Sequence, residues 1–214
     1  MGFEDLIGIM QRGGPVMWAI LLVSVAAGAL VLERSYILYI RMHLDIDRLY
    51  GNVIELLEND ASSRALELCS AHERHPFGAI AKAALMQARA AAADLERTMQ
   101  AAALRSLAVL SRNTGLLVTL ANVVTLLGLL GTVMGLIEAF RGLAEADVVA
   151  KQEILAKGIS VAMLTTAFGL ASAIPTLLCQ ALLAARQEQL ALQVDAKATE
   201  LLGYLLTRRT EPTP

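Results

Sequence analysis

Hydroxyl-bearing side chains recur at helical spacing in the two longest charge-free stretches of the chain, residues 113–137 and 158–185. At 100° per residue, one side of 158–185 carries Thr165, Thr166 and Ser172 among small residues, and 113–137 shows a looser stripe that includes Thr125 and Thr132. Hydroxyl groups can hold water or a hydrated ion. We therefore predict that Thr132, Thr166, Thr165, Thr125 and Ser172 line an ion pathway, although each could instead serve helix packing.

Acidic and basic groups are absent from both stretches and from the third apolar block, 16–32. Proton relays inside membranes normally use Asp, Glu or His. If this chain conducts protons, the titrating group must therefore come from a second polypeptide.

Glycines accompany the hydroxyl stripes. Helices in lipid associate by close backbone approach, which small residues permit. We predict that Gly128, Gly131, Gly135 and Gly169 pack helix against helix, with Gly131 and Gly135 forming a GxxxG pair. Pro175 interrupts one helical hydrogen bond and is predicted to set a bend.

The composition indicates an all-α integral membrane protein with three transmembrane helices. The chain has 214 residues, 56% hydrophobic and 18% charged, with its charges outside three apolar blocks. About 20 apolar residues span the hydrocarbon core as a helix. We predict spans at 16–40, 113–140 and 158–185. The alternative of a signal peptide at the first block is disfavoured because no basic segment precedes it.

Lysine and arginine set the orientation. Residues 33–112 hold 10 of the 18, and those after 185 hold 4. Basic loops remain in the cytoplasm. We therefore predict an interfacial segment at 1–15 and a connection at 141–157 outside the cytoplasm, with a helical region at 41–112 and a helical tail at 186–214 inside it.

Long helical extensions into the cytoplasm are expected from the pattern. From Asp94 no strong breaker appears before about Arg141, which predicts one helix of about 65 Å. His75-Pro76 marks an earlier helix boundary. Arg34 and Arg105, near the membrane ends, are predicted to meet anionic lipid head groups.

Several function classes find no support in the residues. His72 and His75 lack a third ligand at metal-binding spacing, and no phosphate loop or nucleophile elbow is present. Cys69 and Cys179 imply no disulfide framework. With a net charge of −2, the chain offers nothing for nucleic acid. We predict no enzymatic activity, no metal and no cofactor.

Residues 128–137, GLLGTVMGLI, resemble a signature of the MotA/TolQ/ExbB family of ion-channel motor subunits, closest to ExbB and TolQ. Residues 159–175, ISVAMLTTAFGLASAIP, resemble that family's third-span signature. Residues 13–18 and Glu33-Arg34 also match. Some ExbB members carry glutamate where this chain has Val161, so no role of that carboxylate applies here.

The resemblance implies a homopentamer around a dimer of an ExbD/TolR-like protein. Each partner contributes one transmembrane helix with an essential aspartate, and ion flow drives relative rotation. Thr132 and Thr166 match the family's pore threonines. A TonB/TolA-like or motility effector is a further candidate partner.

These features together predict a stator-type subunit of the bacterial inner membrane, with the N-terminus periplasmic and the C-terminus cytoplasmic. It would convert a proton or sodium gradient into mechanical work on the cell envelope. The alternative is a non-conducting membrane scaffold that oligomerises through its small-residue helix faces. The ion and the envelope process stay open.

Overall fold

The computed structural model describes residues 10, 13–42, 45–88, 90–111, 113–145 and 148–210. Within these residues the secondary structure is entirely helical, which confirms the all-α prediction. The helices are α1 Gly14–Ser35, continued by a π-helical turn Tyr36–Arg41, α2 Ile46–Glu58, α3 Ser62–Ala71, α4 Pro76–Met86, α5 Ala92–Ser111, α6 Thr114–Glu145 and α7 Val148–Thr210.

Within the described residues, three helical stretches are long and apolar enough to cross a membrane: Gly14–Ile40, Ala92–Ala144, which covers α5 and most of α6, and Ala150–Arg208. Three such stretches agree in number with the predicted spans. Their membrane boundaries and their sidedness stay predictions. The predicted interfacial segment 1–15 falls mostly outside the described residues.

The chain divides into two compact units. The span unit comprises Met1–Arg34 with Asn113–Leu182, and the bundle unit comprises Ser35–Arg112 with Leu183–Pro214. Helix α7 contributes its first part to the span unit and its last part to the bundle unit.

The single helix predicted from Asp94 to about Arg141 is wrong, because α5 ends at Ser111 and α6 begins at Thr114. Between them Asn113 has a φ of 64°, in the left-handed region. Asn adopts that conformation more readily than other non-glycine residues. The spacing of apolar residues continues across Asn113, so it does not show that a helix ends there.

Helical structure also extends into the predicted connection 141–157. Helix α6 continues to Glu145, and α7 is already helical from Val148. Gly142 on α6 lies against Ile154 on α7, since a Cβ at Gly142 would lie 2.8 Å from Ile154 Cγ2. The two helices are therefore still in contact within this connection, at the level of Gly142 and Ile154.

The bundle unit surrounds one core of large apolar side chains from α2, α3, α4, α5 and α7. Each helix contributes residues at spacings of three and four, the pattern that puts side chains on one face. The core residues are Ile46, Leu49, Val53, Leu57, Ala65, Cys69, Phe77, Ile80, Ala81, Ala84, Leu95, Met99, Val194, Ala198, Leu201 and Leu205.

Helix α4 begins at a tight turn that depends on His75 and Gly78. His75 Nδ1 accepts a hydrogen bond from Phe77 N at 3.3 Å, which caps the helix, and Pro76 occupies the first turn, where no N–H is needed. A Cβ at Gly78 would overlap the carbonyl oxygen of His72. Burial, with a smaller contribution from His72, lowers the pKa of His75 from 6.5 to about 4.

Polar contacts fasten the last part of α7 within the bundle unit. Lys197 Nζ lies 2.9 Å from Glu200 Oε2, 3.3 Å from Asp47 Oδ1 and 4.9 Å from the centre of the Tyr50 ring. The hydrogen bond to Glu200 raises the pKa of Lys197. Arg208 donates hydrogen bonds to the Leu57 carbonyl oxygen and to Asp60.

Candidate functional site

Helices α6 and α7 of the span unit pack against each other as an antiparallel pair in a single register. Steps of three or four residues forward on α6 match steps of three or four residues back on α7. The contacting pairs are Gly128 with Gly169, Gly131 with Thr165, Gly135 with Ala162, Ala139 with Gly158, and Gly142 with Ile154. We call this contact the seam.

Glycine permits the close approach of the two backbones along the seam. A Cβ at Gly169 would lie 3.1 Å from Gly128 Cα, and a Cβ at Gly135 would lie 3.1 Å from Ala162 N. Contacts this short to main-chain atoms cannot be relieved by a rotamer change. The four glycines predicted to pack helices all lie here, consistent with association by backbone contact in lipid.

The sequence reasoning missed that the seam continues past Gly135. Ala139, Gly158 and Ala162 extend it toward the ends of both helices. The signal was available, because Gly135 and Ala139, and Gly158 and Ala162, are each four residues apart. What the spacing cannot reveal is which small residue faces which.

Two adjacent threonines of α7 have different surroundings. Thr165 is 1% exposed, lies against Gly131 in the seam, and donates a hydrogen bond to the Ala162 carbonyl oxygen at 2.8 Å. Thr166 is half-buried, and its Oγ1 donates across the pair to the Gly128 carbonyl oxygen at 3.0 Å. Thr165 is thus a packing residue in this unit, whereas Thr166 lies at the edge of the seam.

Helix α1 covers one side of the α6–α7 pair. Ile20 packs with Ala121, Val124 and Ala173, and partly buried Leu127 and Phe168 join the cluster. Leu127 immediately precedes Gly128, and Phe168 immediately precedes Gly169. In an antiparallel helix pair, the residues that immediately precede the seam residues lie on one side of the pair, on both helices. The residues that immediately follow them lie on the other side. The side after the seam residues is therefore opposite α1.

Three of the predicted ion-pathway residues share that opposite side. Thr125 follows Val124, Thr132 follows Gly131, and Thr166 follows Thr165. Because Gly131 contacts Thr165, Thr132 and Thr166 also lie at the same level along the pair. We call Thr125, Thr132 and Thr166 the threonine flank.

Ser172 lies apart from the threonine flank. It lies seven residues after Thr165 and three after Gly169, intervals that return it to the seam face of α7 rather than to the side of the flank. The Ser172 carbonyl oxygen accepts a hydrogen bond from Thr176 Oγ1 at 2.9 Å. A pathway role for Ser172 or Thr165 stays a prediction that this arrangement of one protomer does not favour.

The hydroxyl protons of the threonine flank are all in use. Thr125 Oγ1 donates to the Ala121 carbonyl oxygen at 3.0 Å, Thr132 Oγ1 to the Leu129 carbonyl oxygen, and Thr166 Oγ1 to Gly128. A hydroxyl has one proton and two acceptor lone pairs. What each threonine offers a partner is therefore an acceptor oxygen, suited to a protonated carboxyl group, a water molecule or a cation.

Two other predicted residues have definite positions. Pro175 lies inside α7, where it leaves the Ala171 carbonyl oxygen without its usual helical donor. The predicted bend at Pro175 stays a prediction. Arg34, expected to meet lipid head groups, is only 4% exposed, and its Nε has no hydrogen-bond partner among the described residues. The contact of Arg34 with lipid head groups stays a prediction.

The fold and the site define a class: an α-helical membrane protein whose apolar helices pack through small residues and display hydroxyl groups on one side. Residues 72–196 match the model of the MotA/TolQ/ExbB proton channel family. The chain belongs to this family.

Relatives agree with that assignment. A biopolymer transport protein ExbB homologue of Methanothermobacter thermautotrophicus is 28% identical over 80% of this chain and 60% of its own length. A biopolymer transport ExbB-like protein of Synechocystis is 32% identical over 83% of this chain and 70% of its own length. The biopolymer transport protein exbB1 of Vibrio cholerae is 50% identical over 29% of this chain and 28% of its own length. The chain thus spans 60% of the Methanothermobacter relative.

Proposed function

We propose that this chain is the ion-conducting subunit of an inner-membrane motor, built as a homopentamer around a dimer of an ExbD/TolR-like single-span protein. The pentamer would convert a proton or sodium gradient into mechanical work on the cell envelope. The proposal assigns ion conduction rather than catalysis to the chain. A TonB/TolA-like or motility effector would receive the work.

The observation that carries the proposal is the threonine flank on the side of the α6–α7 pair opposite α1. Thr132 and Thr166 lie level with each other there, without a charged residue in 113–137 or 158–185. Only one of the three hydroxyl groups serves packing within the protomer, since Thr166 donates across the pair to Gly128, whereas Thr125 and Thr132 donate to carbonyl oxygens of their own helix. The flank is therefore available to a further helix.

The hydrogen bonds of the flank indicate what that helix supplies. Since the threonine protons are used within the protomer, the exposed lone pairs accept from a donor. A carboxyl group donates only when it is protonated, and it accepts from water when ionised. An aspartate on the partner helix would therefore bind the flank in its neutral form and leave it on ionisation. A sodium ion would use the same acceptor oxygens.

The scaffold alternative is weakened by the same geometry. It requires the small-residue faces of the helices to join protomers. The glycine faces of α6 and α7 are instead occupied by each other within one chain. A scaffold would have to assemble through other surfaces, such as the exposed Leu126 and Phe140 or the open face of α1 around Gly28.

The test is partner-dependent ion flux in proteoliposomes that contain the chain and a single-span partner with one membrane aspartate. Thr166→Val replaces the hydroxyl by a methyl group of similar size. We expect at least about a tenfold loss of flux, as for one buried hydrogen-bond partner. Thr166→Ser, which keeps the hydroxyl, should retain most of the flux.

The matched control is Thr165→Val, one residue away but inside the seam. It should leave flux close to the unsubstituted level. Native mass in lipid nanodiscs tests the assembly independently, with five copies alone and five with two partners expected. Full flux in Thr166→Val and Thr132→Val, or equal losses in Thr165→Val and Thr166→Val, would remove the threonine flank from the pathway.

A further inference from the structure

A cavity of about 390 Å³ opens in the span unit, beside the N-terminal turn of α1. Its wall consists of the first residues of α1, the last turns of α6 and the first turns of α7. Six of its lining residues are glycines: Gly13, Gly14, Gly131, Gly135, Gly142 and Gly158. Most of the remaining wall is apolar, including Val16, Met134 and Val161. The volume lies in the range of small-molecule sites, about 300–1,000 Å³.

Two opposite charges lie at this cavity, Glu138 on α6 and Lys157 on α7. Glu138 precedes Ala139 and Lys157 precedes Gly158, and those two seam residues contact each other. The two charged residues therefore lie on the same side of the pair, the side of α1, and at the same level. Nevertheless, no ion pair joins them to each other or to any other residue that the structure describes.

We propose that this cavity binds a phospholipid whose head group carries both a phosphate and a primary ammonium group. Lys157 would hold the phosphate and Glu138 the ammonium group, with part of an acyl chain against the glycine-lined wall. Charge complementarity favours this occupant. The carboxylate of Glu138 and the ammonium group of Lys157 lie at the same level of the helix pair without an ion pair between them, so together they match a zwitterionic head group better than an anionic one.

The location agrees with a lipid. Glu138 lies near the end of the predicted span 113–140, and Lys157 lies directly before the predicted span 158–185. Head groups occupy this depth, and a charged side chain is stable there. The apolar wall runs from the two charges along the helices toward Gly131 and Val161. Phosphate binding by Lys is a charge-assisted hydrogen bond.

The experiment uses the full chain, purified in detergent, stripped of lipid and titrated with three lipids of matched acyl chains. Phosphatidylethanolamine has both groups, phosphatidylglycerol has the phosphate alone, and phosphatidylcholine has a cation without N–H donors. We expect phosphatidylethanolamine to bind about fivefold or more tightly than the other two. Native mass spectrometry measures occupancy, and the shift in Tm measures stabilisation.

Three variants separate the parts of the site. Lys157→Ala should weaken binding of all three lipids about fivefold, the effect of one lysine near a membrane surface. Glu138→Gln should abolish only the preference for phosphatidylethanolamine over phosphatidylglycerol. Val161→Phe should fill the cavity and remove binding. The charged residues Lys151 and Glu153 do not line the cavity, so Lys151→Ala and Glu153→Gln serve as matched controls.

Equal affinity for the three lipids, or unchanged binding in both Lys157→Ala and Glu138→Gln, would overturn the proposal. Phosphatidylethanolamine binding that appears only after residues 2–12 are deleted would also overturn it, because the chain's own N-terminal segment would then be the occupant. If Val161→Phe does not fold, the lipid affinities of Lys157→Ala and Glu138→Gln still test the proposal.

Discussion

The two units of this protein are both helical, yet their helices are held together by different residues. In the bundle unit the buried core consists of large side chains such as Phe77, Ile80 and Leu201. In the span unit the helices α6 and α7 meet along the seam, which consists of glycine and alanine with Thr165 and Ile154. All five ion pairs between described residues also lie in the bundle unit.

The difference reflects the solvent for which each unit is built. Removing apolar surface from water drives helices together, so large side chains point inward in the bundle unit. In a bilayer, lipid tails are as apolar as leucine, and helices gain only from closer contact or from hydrogen bonds. The span unit accordingly directs small residues inward and leaves residues such as Leu126 and Phe140 64% exposed.

The largest effect is expected from adding bulk to the seam. Gly135→Leu would place a side chain against the main chain of Ala162, which cannot move aside, and should destabilise the α6–α7 pair by more than about 3 kcal/mol. Thermal unfolding and size-exclusion profiles in detergent measure this loss. Gly28→Leu is the matched control, because no atom lies within 4 Å of a Cβ at that position of α1. Similar losses in both variants would mean that added bulk anywhere in the span unit, rather than bulk in the seam, is what destabilises it.

A glycine substitution in the bundle unit should have the next largest effect. Gly78→Ala forces a Cβ onto the His72 carbonyl oxygen and should destabilise the bundle unit by about 2–3 kcal/mol. Denaturant unfolding monitored by circular dichroism measures this change. Gly51→Ala, in open space within α2, should instead stabilise the bundle unit by up to about 1 kcal/mol. A stabilising Gly78→Ala would show that the α3–α4 turn adapts freely.

Acid should weaken the bundle unit through His75. The folded state keeps this side chain neutral down to about pH 4, whereas an unfolded histidine titrates near 6.5. Between these values the unfolded state binds more protons, so stability present above pH 6.5 is lost as the pH falls toward 4. The loss reaches up to about 3 kcal/mol.

The measurement is the midpoint of denaturant unfolding as a function of pH. His75→Asn keeps a side-chain acceptor for the cap without a titrating group. It should therefore flatten the dependence between pH 4 and 6.5. An unchanged slope in that variant would assign the acid sensitivity to other groups.

The smallest change in stability is expected at Asn113, where the chain passes from the bundle unit to the span unit. Its φ of 64° is compatible with glycine and strained for a β-branched residue. Asn113→Gly should change the free energy of unfolding by less than about 1 kcal/mol, whereas Asn113→Val should reduce it by about 1–2 kcal/mol. Thermal unfolding of the two variants, side by side, measures the difference. Equal stability would mean that the left-handed turn is not maintained.

Much of the architecture could be predicted from the sequence because it depends on local composition. Three charge-free blocks predict three membrane-length helices, and the spacing of Leu49, Val53 and Leu57 predicts the buried face of α2. Small residues at intervals of three and four indicate packing surfaces before any partner is known. The resemblance of residues 128–137 and 159–175 to the family signatures led to the family that the comparisons show.

Other features depend on tertiary contacts. Thr165 and Thr166 are neighbours in the sequence, and the same helical stripe contains both. Only the register of α6 against α7 puts Thr165 into the seam and Thr166 beside Thr132. A shift of one residue in that register would put Thr166 into the seam and Thr165 on the side of α1, and no local preference distinguishes the two registers.

By itself, the sequence determined that this chain is helical, that three of its stretches suit a membrane, and that the blocks 113–137 and 158–185 carry hydroxyl groups without acids. Apolar length and residue type decide these properties locally. Only the tertiary structure decided which side of the α6–α7 pair α1 covers, which threonines remain on the opposite side, and that Glu138 and Lys157 share one cavity. Those relations depend on long-range contacts between helices, which helix periodicity cannot encode.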